Sequence, residues 1–490
     1  MGDSNVNCSK LTFKECELAI LRMQVKSAQN KIAKRELSSE QFQKIIKITE
    51  DFIKNNDVIC YGGTAINNIL PKNAQFYDRT TDMADYDFFT TDGLKHATEL
   101  ANIFLKNGYM DIEAKSAQHK ETYKVFVNFI SVADISTIPK SIYDSLKKNA
   151  IVIDNVYYVP PNFLRMSIYV ELSRPAGDTD RWEKLTNRLE LLNKHFPIEA
   201  FNCKNNNSNS LGLNKIEKND DITDIIRNTL IDQNVVFFGG FAISQYSKFM
   251  TKSQISENNI NDFYVIARNP LSTANSILYS LKKQNITGEK IFQNAIGDII
   301  PDHYIIKVKK KIFATIYKPI ACHSYNSINI DGKKVFIATI ETILSFYLAF
   351  LYINNPYEVS EKMLCMSKIL LDLQDKHKLD QKGIFKRYTI TCYGHQQSQR
   401  EMREEKAKMY EMLKNKIGTL EYNKWFYNYK PNKQKQILNS KKHLNNQTNT
   451  VIKMDLIKEK VIKPKKTKSN RKKKNAFVNP YDTRKKRKFW

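Results

Sequence analysis

The chain has 490 residues, enough for two or three domains, and its apolar fraction of 41% is sufficient for hydrophobic cores. This composition excludes a wholly disordered chain, and the longest apolar run, ILSFYLAFLYI from Ile343, is shorter than the roughly 20 residues of a membrane span. The net charge of +27 is concentrated in residues 431–490, which carry 20 Lys and Arg against three acids. Such a block favours a polyanionic partner.

The seven cysteines are scattered and form no C-x-x-C pair, which supports neither a disulfide framework nor a zinc site. Residues 1–10 are polar and lack the apolar core of a signal peptide. We therefore expect a soluble, intracellular protein with reduced thiols and no membrane partner.

In chain order, residues 1–57 predict two helices, the second beginning at the capping-box pair Ser38 and Gln41. The apolar strand VICY then leads into a glycine pair and a further helix from Thr64, in the sequence VICYGGTAI. Strands alternate with helices as far as residue 200, and the polar segment 201–215 is typical of a linker.

After this linker the order of elements repeats. VICYGGTAI at Val58 and VVFFGGFAI at Val235 share five of nine residues, among them the glycine pair. IVID at Ile151 and INID at Ile328 are a second matching pair, and they are separated by the same distance in the sequence as the first. This constant spacing predicts an internal duplication of a whole domain.

Three carboxylates follow the first glycine pair. Asp85 and Asp87 are two residues apart on a short strand, so both side chains face the same way, roughly 7 Å apart. Asp134 interrupts an otherwise apolar strand, where an unpartnered carboxylate is costly. Each motif alone has a structural interpretation, as a tight turn, an exposed strand or a capped turn. Together they favour a site for two hard divalent ions, Mg²⁺ or Mn²⁺.

The glycine pair has a matching role. Gly62 and Gly63 allow the backbone to approach a ligand, and the helix from Thr64 directs its N–H groups towards it. This arrangement favours a nucleoside triphosphate, whose reaction with a hydroxyl would release pyrophosphate.

These motifs resemble those of the DNA polymerase β-like nucleotidyltransferase superfamily. More narrowly, GGTA, ADYDFF, VADIS and SRPAGDTDRWEKLTNRLELLN resemble the poly(A) polymerase catalytic subunits of large cytoplasmic DNA viruses, over roughly residues 30 to 420. The resemblance implies that Asp85, Asp87 and Asp134 are the metal-binding catalytic acids. It also implies template-independent addition of AMP from ATP to RNA 3′ ends, by an enzyme of the host cytoplasm (the viral factory) and the virion.

The helix that follows carries Arg181, Lys184 and Arg188 on one face. Arg181 or Lys184 is expected to contact the ATP phosphates or the RNA backbone, and a solvated face is the alternative. In the second copy only Asp262 remains of the acids, because Tyr264 and Thr315 stand in the positions of Asp87 and Asp134. The second copy is therefore expected to be inactive.

The expected fold is α+β, with tandem nucleotidyltransferase palms, the first active and the second degenerate, and helical segments at both ends. The expected divisions are an N-terminal helical region (1–57), a catalytic palm (58–200), a linker (201–215), a degenerate palm (216–355), a helical region (356–430) and a basic tail (431–490).

The expected function is synthesis of the poly(A) tail of mRNA, with ATP and the RNA 3′ end as substrates. The choice of adenine rests on the resemblance alone, so a uridylyl or oligoadenylate enzyme is an alternative, and so is an inert RNA-binding scaffold. The resemblance also implies either a homodimer or a separate processivity partner. The basic tail is expected to be largely disordered and to hold RNA; a nuclear-import signal and a solubilising extension are the alternatives.

Overall fold

The computed structural model describes residues 12–37, 39–77, 85–199, 221–251, 263–353 and 360–432. It has an α+β fold with two mixed sheets, as the sequence predicts. The expected linker and, beyond residue 432, the expected tail lie outside the described residues. None of the helices in the described ranges is long and apolar enough to cross a membrane.

The first sheet has the strand order β16-β3-β4-β5-β2-β1-β7-β6. Side chains in β2 and β4 are alternately buried and half-buried, because one face of the sheet packs against helices. Its strands in the described residues are β1 (Ile59–Tyr61), β2 (Tyr86–Thr90), β3 (Ile112–Ser116), β4 (Thr122–Val127), β5 (Ile130–Thr137), β6 (Ile151–Ile153), β7 (Val156–Tyr158) and β16 (Asn428–Tyr429).

Seven helices in the described residues belong to this half. They are α1 (Phe13–Leu37), α2 (Glu40–Asn55), α3 (Gly62–Ile69), α4 (Gly93–Lys106), α5 (Lys140–Lys148), α6 (Pro161–Leu172) and α7 (Trp182–His195). The predicted cap of α2 is wrong by one residue: the Ser39 hydroxyl accepts the hydrogen bond from the Phe42 N–H, and Ser38 lies outside the described residues.

The second sheet has the order β10-β11-β12-β9-β8-β14-β13-β15. Its first seven strands repeat the order of β3-β4-β5-β2-β1-β7-β6, so the predicted duplication is confirmed. Its strands are β8 (Val236–Phe237), β9 (Phe263–Ile266), β10 (Gly288–Gln293), β11 (His303–Val308), β12 (Lys311–Tyr317), β13 (His323–Ile330), β14 (Lys333–Ala338) and β15 (Cys392–Tyr393).

The two copies differ in one connection. In the first, α5 lies between β5 and β6, whereas residues 318–322 alone join β12 to β13 in the second. The described helices of the second half are α8 (Asp221–Asp232), α9 (Gly240–Ser244), α10 (Pro270–Lys283), α11 (Ile340–Phe350), α12 (Ser360–Lys376), α13 (Gln399–Leu413) and α14 (Leu420–Phe426).

The two halves share one core. Helix α11, which contains most of the apolar run from Ile343, is buried along its whole length and packs against α6. The rings of Phe163 and Tyr352 are 5.3 Å apart, and the Ser324 N–H donates to the Ser173 carbonyl at 2.8 Å. The predicted helical region 356–430 also contains β15 and β16, which join different sheets.

The expectation that all cysteines are reduced is wrong for four cysteines of the described residues, because Cys16, Cys322, Cys365 and Cys392 are disulfide-bonded. Cys322 and Cys392 form a disulfide although 70 residues separate them in the sequence. The reason is that β15 pairs with the start of β13, which brings the two side chains together. Cys60, by contrast, is a free and buried thiol, as expected.

Candidate active site

The first glycine pair forms the turn between β1 and α3. Gly62 has φ +74°, a conformation that favours glycine, and a Cβ there would collide with the carboxylate of Asp87. A Cβ at Gly63 would lie 2.6 Å from Tyr77 Oη and 2.8 Å from Arg188 Nη1. The helix begins at Gly62 itself, two residues before the expected start at Thr64. The bare backbone thus brings the N-terminus of α3 beside an acid and a guanidinium.

Two of the three aspartates lie on neighbouring parallel strands, and the third directly precedes one of them. Asp87 in β2 is paired with Asp134 in β5 on one side and with Tyr61 in β1 on the other. Asp85 directly precedes β2, and its carbonyl accepts a hydrogen bond from the buried Thr64 hydroxyl at 2.7 Å. The structure therefore brings together the three acids that the sequence singled out, next to the glycine turn.

Burial and the crowding of negative charges change the titration of Asp85 and Asp87. Burial, followed by the charges of Asp85 and Asp134, raises the pKa of Asp87 to about 7, and the positive charges of Lys124 and Arg181 oppose this only in part. Reduced hydration and the charge of Asp134 also raise the pKa of Asp85, although its side chain reaches solvent. A cation at this site would relieve the repulsion between the acids.

Lys124 supplies part of that positive charge. Its Nζ lies 2.5 Å from Asp134 Oδ2, whereas the buried Oδ1 of Asp134 has no hydrogen-bond partner. An unpartnered buried carboxylate oxygen is the kind of hard donor that Mg²⁺ and Mn²⁺ bind. Across the ranges that the structure describes, no three acidic, His or Cys side chains yet converge as a ligand group. The donor set fits a divalent cation, provided that Asp134 turns from Lys124 towards it.

The two basic residues predicted to bind nucleotide lie at the start of α7. Arg181 precedes the helix, and its Nη1 forms an ion pair with Glu171 Oε2 at 3.2 Å. Its charge lowers the pKa of Asp87, which places it within electrostatic range of the acids. Lys184 lies in the first turn of α7 and is exposed.

The sequence interpretation placed Arg188 on one helix face with Arg181 and Lys184 but gave it no role. Arg188 is buried, donates to Tyr77 Oη at 2.6 Å and lies over the rings of Phe76 and Tyr77, at 4.9 and 5.5 Å. Its Nε is buried without a hydrogen-bond partner. The guanidinium therefore lies against Gly63 with unused donor capacity. Its position among Leu185, Leu189 and Leu192, the apolar stripe of α7, was the available signal.

The same register shows why the second copy differs. Tyr264 in β9 pairs with Thr315 in β12, as Asp87 pairs with Asp134, so the predicted replacements are confirmed. Both replacements are buried, and neither carries a charge. Asp262, the remaining acid, lies outside the described residues. The positions of Asp87 and Asp134 thus have no metal-binding carboxylate in the second copy.

Comparisons with known proteins agree with this geometry. A family model described as poly(A) polymerase catalytic subunit matches residues 47–178. An Acanthamoeba polyphaga mimivirus protein described as a poly(A) polymerase catalytic subunit is 35% identical over 162 residues, covering 32% of this chain and 27% of that protein. An African swine fever virus protein of the same description is 25% identical over 182 residues, covering 36% of this chain and 38% of that protein. The matches thus span well under half of these relatives.

The fold itself is matched over a greater length. The crystal structure of the Megavirus polyadenylate synthase superimposes with a TM-score of 0.67 at 20% identity and covers 91% of this chain and 90% of that one. The two-sheet architecture is therefore that of a solved structure. The segment 47–178, which matches the model of the poly(A) polymerase catalytic subunit family, holds the glycine turn and all three aspartates.

Proposed function

We propose that this protein is a template-independent RNA nucleotidyltransferase that adds AMP from ATP to the 3′ ends of mRNA. The pairing of Asp87 with Asp134 on adjacent parallel strands, beside the turn at Gly62, is the observation that carries the proposal. Three crowded carboxylates next to a helix N-terminus suit a reaction between a polyphosphate and a hydroxyl.

In the proposed reaction the 3′-hydroxyl oxygen of the RNA forms a bond to the α-phosphorus of ATP. The bond from that phosphorus to the bridging oxygen of the β-phosphate breaks, and pyrophosphate leaves. The proton of the hydroxyl passes to Asp134, whose Oδ1 has no partner. When bound, two divalent ions, Mg²⁺ or Mn²⁺, would supply charge neutralisation and a more acidic hydroxyl, with Asp85, Asp87 and Asp134 as ligands.

The residues around the turn would hold the triphosphate. The Arg188 guanidinium adjoins Gly63 at the start of α3, where the first backbone N–H groups of a helix have no partner within the helix. Arg181 and Lys184, at the nearby start of α7, would add positive charge for phosphates of ATP or RNA. These roles follow from charge and position. They imply that the protein binds ATP mainly through its phosphates rather than through its base.

The choice of adenine, the mRNA substrate and the partners are proposed from the family of residues 47–178. We propose a homodimer or a processivity subunit as the partner, the host cytoplasm and virion as the location, and the division into helical, palm, linker and tail segments given above.

The test is incubation of the purified protein with a labelled oligo(A) primer, each of the four nucleoside triphosphates in turn, and Mg²⁺ or Mn²⁺. We expect metal-dependent extension with ATP and equimolar release of pyrophosphate. Extension with UTP alone would replace the proposal by a uridylyl enzyme. Absence of extension with any triphosphate, for protein that still binds RNA, would favour an inert scaffold.

A further inference from the structure

The second copy has a pocket of about 460 Å³ on one face of its sheet. Three aromatic residues line it from three neighbouring strands: Tyr393 of β15, Tyr325 of β13 and Phe336 of β14. The ring of Tyr325 is 4.7 Å from that of Phe336 and 6.4 Å from that of Tyr393. Tyr325 and Phe336 are only half-buried, so both rings can accept a further contact.

The first copy shows why this face is open. Phe336 pairs with Val236, as Tyr157 pairs with Ile59, so Phe336 occupies the place of Tyr157. In the first copy Lys147 of α5 lies over the Tyr157 ring at 5.1 Å and forms an ion pair with Asp57. The second copy has no helix in the five residues that replace α5, so the equivalent aromatic face is left uncovered.

The pocket of the second copy has also lost negative charge relative to the first copy. At the constant spacing of the duplication, Asn234 corresponds to Asp57 and Asn269 to Asp92, so two acids of the first copy are amides in the second. Both amides line the pocket, and no carboxylate occurs among its lining residues within the described ranges. Asp232, close by in the sequence, is paired with Lys333 outside the pocket lining.

Cations are present at both ends of the aromatic row. The guanidinium of Arg268 lies over Tyr393 at 5.3 Å, and its backbone N–H donates to Tyr393 Oη at 3.1 Å. Lys334 Nζ lies over Phe336 at 5.5 Å. A row of rings with a cation at each end and amides beside it matches the alternating bases and phosphates of a single strand.

We propose that this face, the Tyr325–Phe336 platform with Arg268 and Lys334, is a second binding site for single-stranded RNA, separate from the aspartate cluster. One or two bases stack on Tyr325 and Phe336, Arg268 and Lys334 contact phosphates, and the side-chain amides of Asn234 and Asn269 contact base edges. The site holds RNA and takes no part in nucleotide addition. The inference does not depend on AMP transfer.

The test is fluorescence anisotropy of the full chain with a labelled oligo(A), without ATP and with EDTA. We expect the double variant Tyr325→Leu, Phe336→Leu to bind about tenfold more weakly, since a stacked base contributes about 1–3 kcal/mol and about 1.4 kcal/mol is a factor of ten. Leucine retains the apolar contact of each ring, and a thermal melt checks folding. The matched control is Tyr279→Leu, because Tyr279 is an exposed α10 aromatic under a lysine but outside the pocket.

Two further measurements decide the outcome. Arg268→Gln should reduce the slope of log K against log salt by about 0.7, the value for one phosphate contact. An oligonucleotide with a photoreactive base should crosslink to peptides that contain Tyr325 or Phe336. The proposal is overturned if the double variant binds RNA like the Tyr279 control, or if it loses ATP binding while retaining RNA binding, which would indicate a free-nucleotide site. If the unmodified protein adds no AMP but the double variant still binds RNA more weakly, only the proposed catalytic function is overturned.

Discussion

Lys124 and Asp134 face each other across two antiparallel strands, with 2.5 Å between Nζ and Oδ2. The ammonium lies among three acids, so it lowers their mutual repulsion and competes with any cation for Asp134. Replacing Lys124 by Met should therefore tighten Mn²⁺ binding several-fold, since one nearby charge at partial exposure contributes about 1 kcal/mol. Electron paramagnetic resonance of free Mn²⁺ measures this directly. Lys120→Met, which removes a lysine paired with Glu121, is the control; equal or weaker binding in Lys124→Met would contradict the competition.

Removal of one carboxylate should abolish chemistry without unfolding the protein. We expect Asp85→Asn, Asp87→Asn and Asp134→Asn each to reduce AMP incorporation at least about a hundredfold, because metal charge stabilisation is worth several kcal/mol and each step of about 1.36 kcal/mol is a factor of ten. Primer extension and circular dichroism measure the two effects. Thr315→Val, the matched change in the second copy, should leave the rate unchanged. A large loss of rate in Thr315→Val, with normal folding, would show that the second copy takes part in catalysis.

The metal-free protein should lose stability as pH rises. The pKa of Asp87 is raised from 3.8 to about 7, so the folded state retains this proton more tightly than the unfolded state. Relative to high pH, the added stability is complete below about pH 4 and disappears as pH rises through about 7. It is worth a few kcal/mol at most, at about 1.36 kcal/mol per pKa unit. Melting in EDTA at pH 5 and pH 8 should show this loss, and Asp87→Asn should reduce it. If Asp87→Asn loses as much stability between pH 5 and pH 8 as the unmodified protein, another group causes the pH dependence.

Arg188 should govern the affinity for ATP more than that for RNA. Arg188→Lys keeps a charge but loses the planar contacts to Phe76 and Tyr77, so we expect KM for ATP to rise about tenfold, with little change in primer binding. Asn187→Ala, at the exposed neighbouring position, is the control. Steady-state kinetics with ATP and primer varied separately distinguish the two affinities. A change confined to primer affinity would assign Arg188 to RNA instead.

The basic tail gives a prediction from sequence alone. A chain that ends at residue 432 should bind RNA more weakly, with a flatter salt dependence, and make shorter products, because each neutralised phosphate of a single strand contributes about −0.7 to the slope. Single-nucleotide addition at saturating primer should remain near normal. An unchanged salt slope would favour the import or solubility interpretation of this segment.

The positions of the candidate residues were predictable where short-range rules decide them. Gly62, Asp85 and Asp87 lie within one strand–turn–helix unit and the strand beside it, and the constant spacing of the repeat located the second copy. Strand register puts Asp134 beside Asp87, and a slip of one residue between β2 and β5 is disfavoured because it would turn the buried side chains of one strand to the other face.

The features that the sequence does not predict depend on contacts between distant segments of the chain. Arg188 belongs to an amphipathic helix, and its burial over Phe76 and Tyr77 follows from how α7 packs, which periodicity does not specify. The disulfide of Cys322 and Cys392 likewise requires β15 to reach β13. The open aromatic face of the second copy likewise depends on the direct connection of β12 to β13, which the spacing of the repeat does not specify.

Strand β16 has a consequence for biosynthesis. Its residues Asn428 and Tyr429 pair with Lys115 and Ala114 at the edge of the first sheet, in a segment made much earlier in the chain. During translation β3 is therefore an uncovered edge strand until β16 has been synthesised, when most of the protein has already been made. The first half of the nascent chain is exposed to wrong pairing throughout that interval, so its yield in the cell should depend on chaperones more than its final stability suggests.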